Sequence, residues 1–288
     1  MVVLDNIEYP NIDANLHLEM TERELLNEWF WYLDHPNGEL TLKCNRTRII
    51  RYFQQDNFYK VEKQLWKDHK IQTKLIQNRL KYLNKTPSQL TTSDILRGFK
   101  ISTIYHGYSG FNPQLCKWFY EVAAELMGVK ISELSCYDPC GGWGHRMIGS
   151  TEINQYIYND LSKSTYDAVN NIKSYFDIWN CITYNGDAAS FVPEEFFNVM
   201  FTCPPYYNVE HYECGDFKNV SEYNDFINSL FDVFNNTKTC KVFGLVIRED
   251  LIGEHTNYIN RYELTQYNKS YLNTKRKNKE YLYIFSKI

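Results

Sequence analysis

The sequence predicts an α/β fold, a largely parallel sheet wound from βαβ units and preceded by a helical region. Two observations carry this. From about residue 105 onward, short apolar runs alternate with stretches of helical spacing, and that alternation predicts parallel strands joined by crossover helices. Before it, residues 1–105 show no strand-like alternation, while Arg23–Leu33 and Val61–Leu83 place apolar residues at helical spacing. The chain is therefore divided into a helical region over 1–105 and a sheet domain over 106–288.

Seven runs define the expected strands: Leu134–Tyr137, Tyr156–Tyr158, Cys181–Tyr184, Asn198–Phe201, Lys241–Ile247, Tyr262–Gln266 and Tyr281–Phe285. A basic loop, Lys275-Arg276-Lys277-Asn278-Lys279, separates the last two. At 288 residues and 43% hydrophobic content there is ample material for a core. No apolar run reaches the ~18 residues of a membrane span, and Met1-Val2-Val3-Leu4-Asp5 does not read as a secretory leader, so a cytoplasmic setting is expected. The eight cysteines form no CxxC pair and several sit in apolar runs, which reads as reduced thiols without a zinc site.

Charge is unevenly spread. Lys43–Lys100 carries 14 Lys and Arg against 4 Asp and Glu, a net +10, so the remainder of this −4 chain holds −14. At about 100° per residue, Lys63, Lys67, Lys70, Lys74 and Lys81 fall in one stripe opposite Val61, Leu65, Leu75, Ile76 and Leu83. A lysine stripe is ordinarily solvated surface. The clustered +10 around this one points to phosphate contacts, with Lys275, Arg276 and Lys277 as a second basic site.

Chemistry gathers at strand ends. The first run ends in Tyr137-Asp138-Pro139-Cys140-Gly141-Gly142-Trp143-Gly144, where glycines allow a tight strand-to-helix turn and close approach of a ligand. The second ends in Asn159-Asp160, the third in Gly186-Asp187-Ala188, and the fourth in Thr202-Cys203-Pro204-Pro205-Tyr206-Tyr207. Upstream of the first, Tyr105-His106-Gly107-Tyr108-Ser109-Gly110-Phe111-Asn112-Pro113 leads into a helix with Asn112 as N-cap and Pro113 at its first position. Such a terminus either binds an anion or is simply a capped helix.

This ordered set, over about residues 105–288, resembles the S-adenosylmethionine-dependent amino-methyltransferases of nucleic acids. The resemblance implies a seven-stranded, Rossmann-like class I methyltransferase sheet whose last strand is antiparallel. It implies that Asp160 accepts from the cofactor ribose, that Asp187 beside Ala188 accepts from its adenine amino group, and that Phe111, Asn112 and Pro113 cradle its methionine carboxylate. Asp138, Pro139, Cys140, Gly142 and Gly144 complete the expected cofactor site, with His145 and Arg146 nearby. Asp-Pro-Cys-x-Gly-Trp-Gly-x-Arg together with Thr-Cys-Pro-Pro-Tyr-Tyr is also similar to the stand-alone DNA methylases of phages. The basic helical segment matches no family pattern.

An exocyclic base amino group is a poor nucleophile because its lone pair is delocalised into the ring. Acceptors for its two N–H groups localise that pair, and in-line placement against a sulfonium methyl supplies proximity. Cys203 and the carbonyl at Pro204 are the expected acceptors, with Pro205 fixing the turn and Tyr206 offering a face for a flipped base. Where this sequence has Cys203 the family has Asp, Asn or Ser, and a thiol is the weaker acceptor. Other readings of Cys203 and of the chain stay open here. Cys203 could be a nucleophile for carbon-5 methylation or a structural thiol; the substrate could be RNA or a protein glutamine; the core could bind nucleic acid without catalysis. Double-stranded DNA is the expected partner, and Glu210 and Tyr212 are further candidates for the pocket.

Overall fold

The computed structural model describes residues 2–4, 7–9, 20–35, 37–40, 48–57, 60, 66–92, 94–95, 111–207, 216–264 and 279–288. They form two compact units: Met1–Glu19 with Gln54–Ser109, and Met20–Phe53 with Gly110–Ile288. The expected boundary near 105 lies outside the described residues.

The first unit opens with an antiparallel ladder, β1 (Val2–Leu4) and β2 (Ile7–Tyr9). A mostly helical reading of residues 1–105 does not contain it, because three-residue strands are too short for the two-residue period to register. The next helices belong to the second unit. α1 (Glu22–Asp34) starts at Thr21, whose hydroxyl accepts from Glu24 N while the Glu24 carboxylate accepts from Thr21 N at 2.9 Å. Its apolar face of Leu25, Trp29 and Tyr32 is buried. Trp29 stacks on Phe176 at 4.7 Å, and buried Lys117 donates to the carbonyls of Tyr32 and His35 at 2.8 and 3.1 Å. With α2 (Arg48–Phe53), this face joins the sheet unit although it precedes residue 105.

α3 (His69–Leu83) returns to the first unit. The helix expected over Val61–Leu83 is shorter at its start. Asp68 is the N-cap and accepts from Lys70 N at 2.7 Å and Ile71 N at 3.3 Å, which sets the first helical residue at His69. Lys67 therefore precedes the helix, and Lys63 lies outside the described residues. Leu75, Ile76 and Arg79 are buried, whereas Lys67, Lys70, Lys74 and Lys81 are all exposed. The two-faced character read from the periodicity is present over 69–83.

In the second unit, α4 (Pro113–Met127) has Asn112 as N-cap and Pro113 at its first position, as the sequence predicts. There follow β3 (Ser135–Asp138), α5 (His145–Ile148), β4 (Gln155–Asp160), α6 (Lys163–Tyr175), β5 (Cys181–Asn185), β6 (Val199–Thr202), α7 (Val220–Asn236), β7 (Val242–Arg248), β8 (Asn260–Glu263) and β9 (Glu280–Ser286). One seven-stranded sheet runs β5-β4-β3-β6-β7-β9-β8. β5, β4, β3, β6 and β7 are mutually parallel, and β9 lies antiparallel between β7 and β8. Each of the seven expected runs overlaps a strand, although of Tyr262–Gln266 only Tyr262 and Glu263 lie in β8 and 265–266 fall outside the described residues; the last strand is antiparallel, as the class I methyltransferase resemblance implies.

β3, β4, β6, β7 and β9 bury both faces. Tyr137, Ile157, Met200, Phe243, Leu245 and Ile247 join Tyr223, Ile227, Leu230 and Phe234 of α7 in one apolar cluster. On the other side Phe201 stacks on Phe119 of α4 at 4.3 Å. Strand residues buried on both faces read as continuous apolar runs, which is why the sequence shows them so clearly. Among the described residues, no helix is long and apolar enough to cross a membrane.

Candidate active site at the carboxyl edge of the sheet

Strand order reverses between β3 and β6, because the chain winds outward to β4 and β5 on one side and to β7 on the other. Loops leaving the carboxyl ends of strands diverge at such a point and open a crevice. The glycine turn follows β3 and Cys203-Pro204-Pro205-Tyr206 follows β6, so the two motifs flank that crevice. Asp160 ends β4 and Asp187 follows β5, which extends the same edge by two strands.

The turn after β3 is held from β4. Gly141 N donates to Asn159 O at 2.7 Å, and Gly142 N donates to the Asp160 carboxylate at 2.9 Å. Tyr158 closes it by donating to Gly142 O at 2.8 Å. A Cβ on Gly141 would stand 2.1 Å from the Tyr158 ring, and Gly142 has φ +59, so one glycine is required by contact and the other by conformation. Gly144 caps α5 at φ 96. Asp160 accepts at its other oxygen from Ser162 N at 2.9 Å, and its burial raises the carboxyl pKa against the pull of these two N–H groups.

Asn159 links three strand ends by donating to Pro139 O and to Gly186 O, each at 3.0 Å. Its own Oδ1 is buried without a hydrogen-bond partner. Asp187 is exposed and caps the turn after β5 by accepting from Ala189 N at 2.9 Å; Ala188 beside it is buried.

The Asp138 side chain is engaged by protein groups. Fully buried, it accepts from Arg146 Nε at 2.6 Å and Nη2 at 3.3 Å, from Thr202 Oγ1 at 2.8 Å, and from the Tyr156 hydroxyl. A carboxylate has about four acceptor sites, and protein donors fill them. Arg146 also donates to the carbonyl of Cys140 and lies 5.0 Å from the centroid of the Phe111 ring. One buried ion pair thus joins β3, β4, the glycine turn, α5, the residue before Cys203 and the approach to α4. Phe111 is itself buried against Phe201, at 5.9 Å, and serves this packing. The Asn112 side chain accepts from Gln114 N at 3.1 Å.

At β6, Cys203 is half-buried with its sulfur 3.7 Å from the Tyr206 hydroxyl. Tyr206 is only 7% exposed and belongs to the α7-side core cluster, so its ring is not displayed as an open platform. Next to the glycine turn, burial beside Arg146 lowers the His145 pKa to about 3, which keeps that imidazole neutral. The approach 105–110, Glu210, Tyr212, Lys275, Arg276 and Lys277 lie outside the described residues.

Sequence reasoning missed Tyr156, Tyr158, Asn159 and Thr202. A signal existed for the tyrosines: in Tyr156-Ile157-Tyr158 the period of two puts both hydroxyl-tipped rings on one face of a buried strand, and a buried hydroxyl needs a partner.

No protein-family model matches the chain, and no curated protein matches it. Solved structures with similar chain paths include a dimethyladenosine transferase from Plasmodium falciparum (14% identity, TM-score 0.39), covering 58% of this chain and 60% of that one. A human methyltransferase 10 domain containing protein is 8% identical at TM-score 0.41, covering 58% of this chain and 80% of that one. TrmN from Thermus thermophilus is 12% identical at TM-score 0.39, covering 61% of this chain and 49% of that one. The chain thus spans less than two thirds of the first and the last of these. At such scores the likeness assigns no substrate or partner.

Proposed function

We propose that this chain is an S-adenosylmethionine-dependent methyltransferase acting on the exocyclic amino group of adenine or cytosine in DNA. The observation that carries the reading is the convergence of four motifs on the carboxyl ends of β5, β4, β3 and β6, adjacent in the sheet and astride its reversal of strand order. The residues at that edge suit the cofactor. Asp160, Asp187 and the unpartnered Oδ1 of Asn159 are acceptors, matching ribose hydroxyls and an adenine amino group.

S-adenosylmethionine supplies an electrophilic methyl on a sulfonium. Every other part of the reaction falls to this chain. Asp160 and Asp187 hold hydroxyl and amino protons at the cofactor end. The carbonyl at Pro204 accepts from one target N–H group, favouring the tetrahedral nitrogen on which the lone pair is localised, and the Cys203 thiol is a weak acceptor for the other. The buried ring of Tyr206 keeps that end of the crevice apolar. The exposed face of Lys67, Lys70, Lys74 and Lys81 would supply sequence-independent phosphate contacts.

Incubation with tritium-labelled cofactor and DNA, RNA or protein, followed by hydrolysis and nucleoside analysis, tests the reading. The expected product is N6-methyladenine or N4-methylcytosine in DNA; label in RNA or protein alone would refute the DNA assignment. Two further results are expected. Asp160→Ala and Asp187→Ala each remove a charge-assisted acceptor worth about 1.5–3 kcal/mol, so cofactor affinity measured by calorimetry should fall about tenfold or more. Unchanged affinity in both folded variants would dismiss the cofactor site. Reversing Lys67, Lys70, Lys74 and Lys81 to Glu should leave that affinity alone and lower the log–log salt slope of DNA binding by about 0.9 per lost phosphate contact. An identical slope would make the face ordinary solvated surface.

A further inference from the structure

α7 begins at the edge where β6 ends, since it is the crossover helix of that βαβ unit. Tyr223 is its fourth residue. Its side chain is 1% exposed and its hydroxyl is buried with no hydrogen-bond partner. The ring lies 6.1 Å from that of Tyr207 and 5.1 Å from that of Phe217. It belongs to the cluster that includes Tyr206 and against which Cys140 of the glycine turn and Cys203 are packed. The hydroxyl is held neutral first by burial, then by the fields of Cys203 and Cys140.

A buried phenol without a partner costs stability, because its lost hydration is not replaced. Phenylalanine would fill the same space without that cost. A hydroxyl retained at such a cost, in the cluster that joins the glycine turn to the Cys-Pro-Pro motif, is explained if a ligand supplies its partner. The proposed reaction also lacks something at this place. Two N–H groups of the target nitrogen need acceptors, and the Cys203 thiol is a weak one.

We infer that the Tyr223 hydroxyl oxygen is a substrate-positioning acceptor for the target amino group, standing in for the side-chain oxygen that Cys203 does not provide. This rests on the amino-methyltransferase reading and sharpens it. Accepting one N–H, the phenol oxygen turns the nitrogen so that its lone pair points away from the ring system. The hydroxyl proton stays on Tyr223 throughout.

The test compares the parent with Tyr223→Phe, Cys203→Ser and Cys203→Ser/Tyr223→Phe, all as full chains, on a DNA substrate shown to be methylated by the parent. Tyr223→Phe should melt no lower than the parent and bind S-adenosylmethionine within about twofold of it, while kcat falls at least about tenfold, which corresponds to ~1.4 kcal/mol. Adding Cys203→Ser should return kcat to within about threefold of the Cys203→Ser single variant. A packing role predicts no such rescue, because a serine at 203 restores no contact of the Tyr223 ring. Parental kcat in Tyr223→Phe, or a loss that Cys203→Ser leaves in place, overturns the inference and leaves the methyltransferase reading standing. A parent that methylates neither DNA nor RNA overturns both, and does so before any variant is compared.

Discussion

Arg146→Met should destabilise the folded protein by about 3–5 kcal/mol, because it leaves the Asp138 carboxylate buried without its counter-charge. Both partners are almost wholly inaccessible, with side-chain exposures of 5% and 0%, so solvent cannot relieve the loss. The hydroxyls of Thr202 and Tyr156 would remain on Asp138, yet neither carries charge. Urea denaturation of parent and variant measures the difference; a loss below ~1 kcal/mol would mean that Asp138 had taken up a proton or water at little cost. Asp138→Leu/Arg146→Met should recover most of that stability, since apolar replacement of both members of a buried pair is often close to neutral. It should not recover cofactor affinity. Arg146 also donates to the Cys140 carbonyl, and an apolar pair leaves that turn unfastened whatever the stability of the core.

The same pair shows why the sequence disclosed the sheet better than the site. Runs such as Lys241–Ile247 are buried on both faces and bounded by turn residues, so strand position follows from local composition. Asp138 and Arg146 are eight residues apart and read locally as a ligand contact and a nearby cation. Only the parallel pairing of β3 with β4 and β6 brings Tyr156 and Thr202 to Asp138, and pairing is a long-range property that local composition does not carry. The α3 boundary failed for a different reason. Lysines on a helical period continue through Asp68, but a carboxylate accepting from the N–H groups two and three residues ahead ends the helix there, whatever the pattern behind it. Trp29 and Tyr32 sort with the sheet unit because their partners, Phe176 and Lys117, arrive from more than 80 residues downstream.

The glycine turn was legible because its chemistry is local: glycines between a strand and a helix have few alternatives. Tyr206 was legible only in part. Its position after Pro-Pro follows from the motif, but its 7% exposure reflects α7 and β7 packing against it. That burial changes how the residue can be tested. Tyr206→Ala would open a cavity costing about 3–5 kcal/mol, so lost activity would report instability as readily as chemistry.

Cys203→Ser should retain or raise methyl transfer, and it separates two reactions that share this strand end. Amino methylation needs an acceptor beside the target nitrogen, and a serine hydroxyl accepts better than a thiol. Carbon-5 methylation needs a thiolate that attacks the ring covalently, which serine cannot replace, so the same variant would be dead while still folding and binding cofactor. Tyr206→Leu keeps most of the buried volume and the apolar wall of the crevice, so methyl transfer, cofactor affinity and melting temperature should stay near those of the parent. A fall of about tenfold would show instead that a base stacks on the ring, a contact worth about 1–3 kcal/mol. Nucleoside mass spectrometry on the modified DNA gives the companion measurement. A 5-methylcytosine product together with an inactive Cys203→Ser protein would overturn the amino-methylation reading, because it would show the thiol forming a covalent bond at a strand end where amino methylation requires only hydrogen bonds.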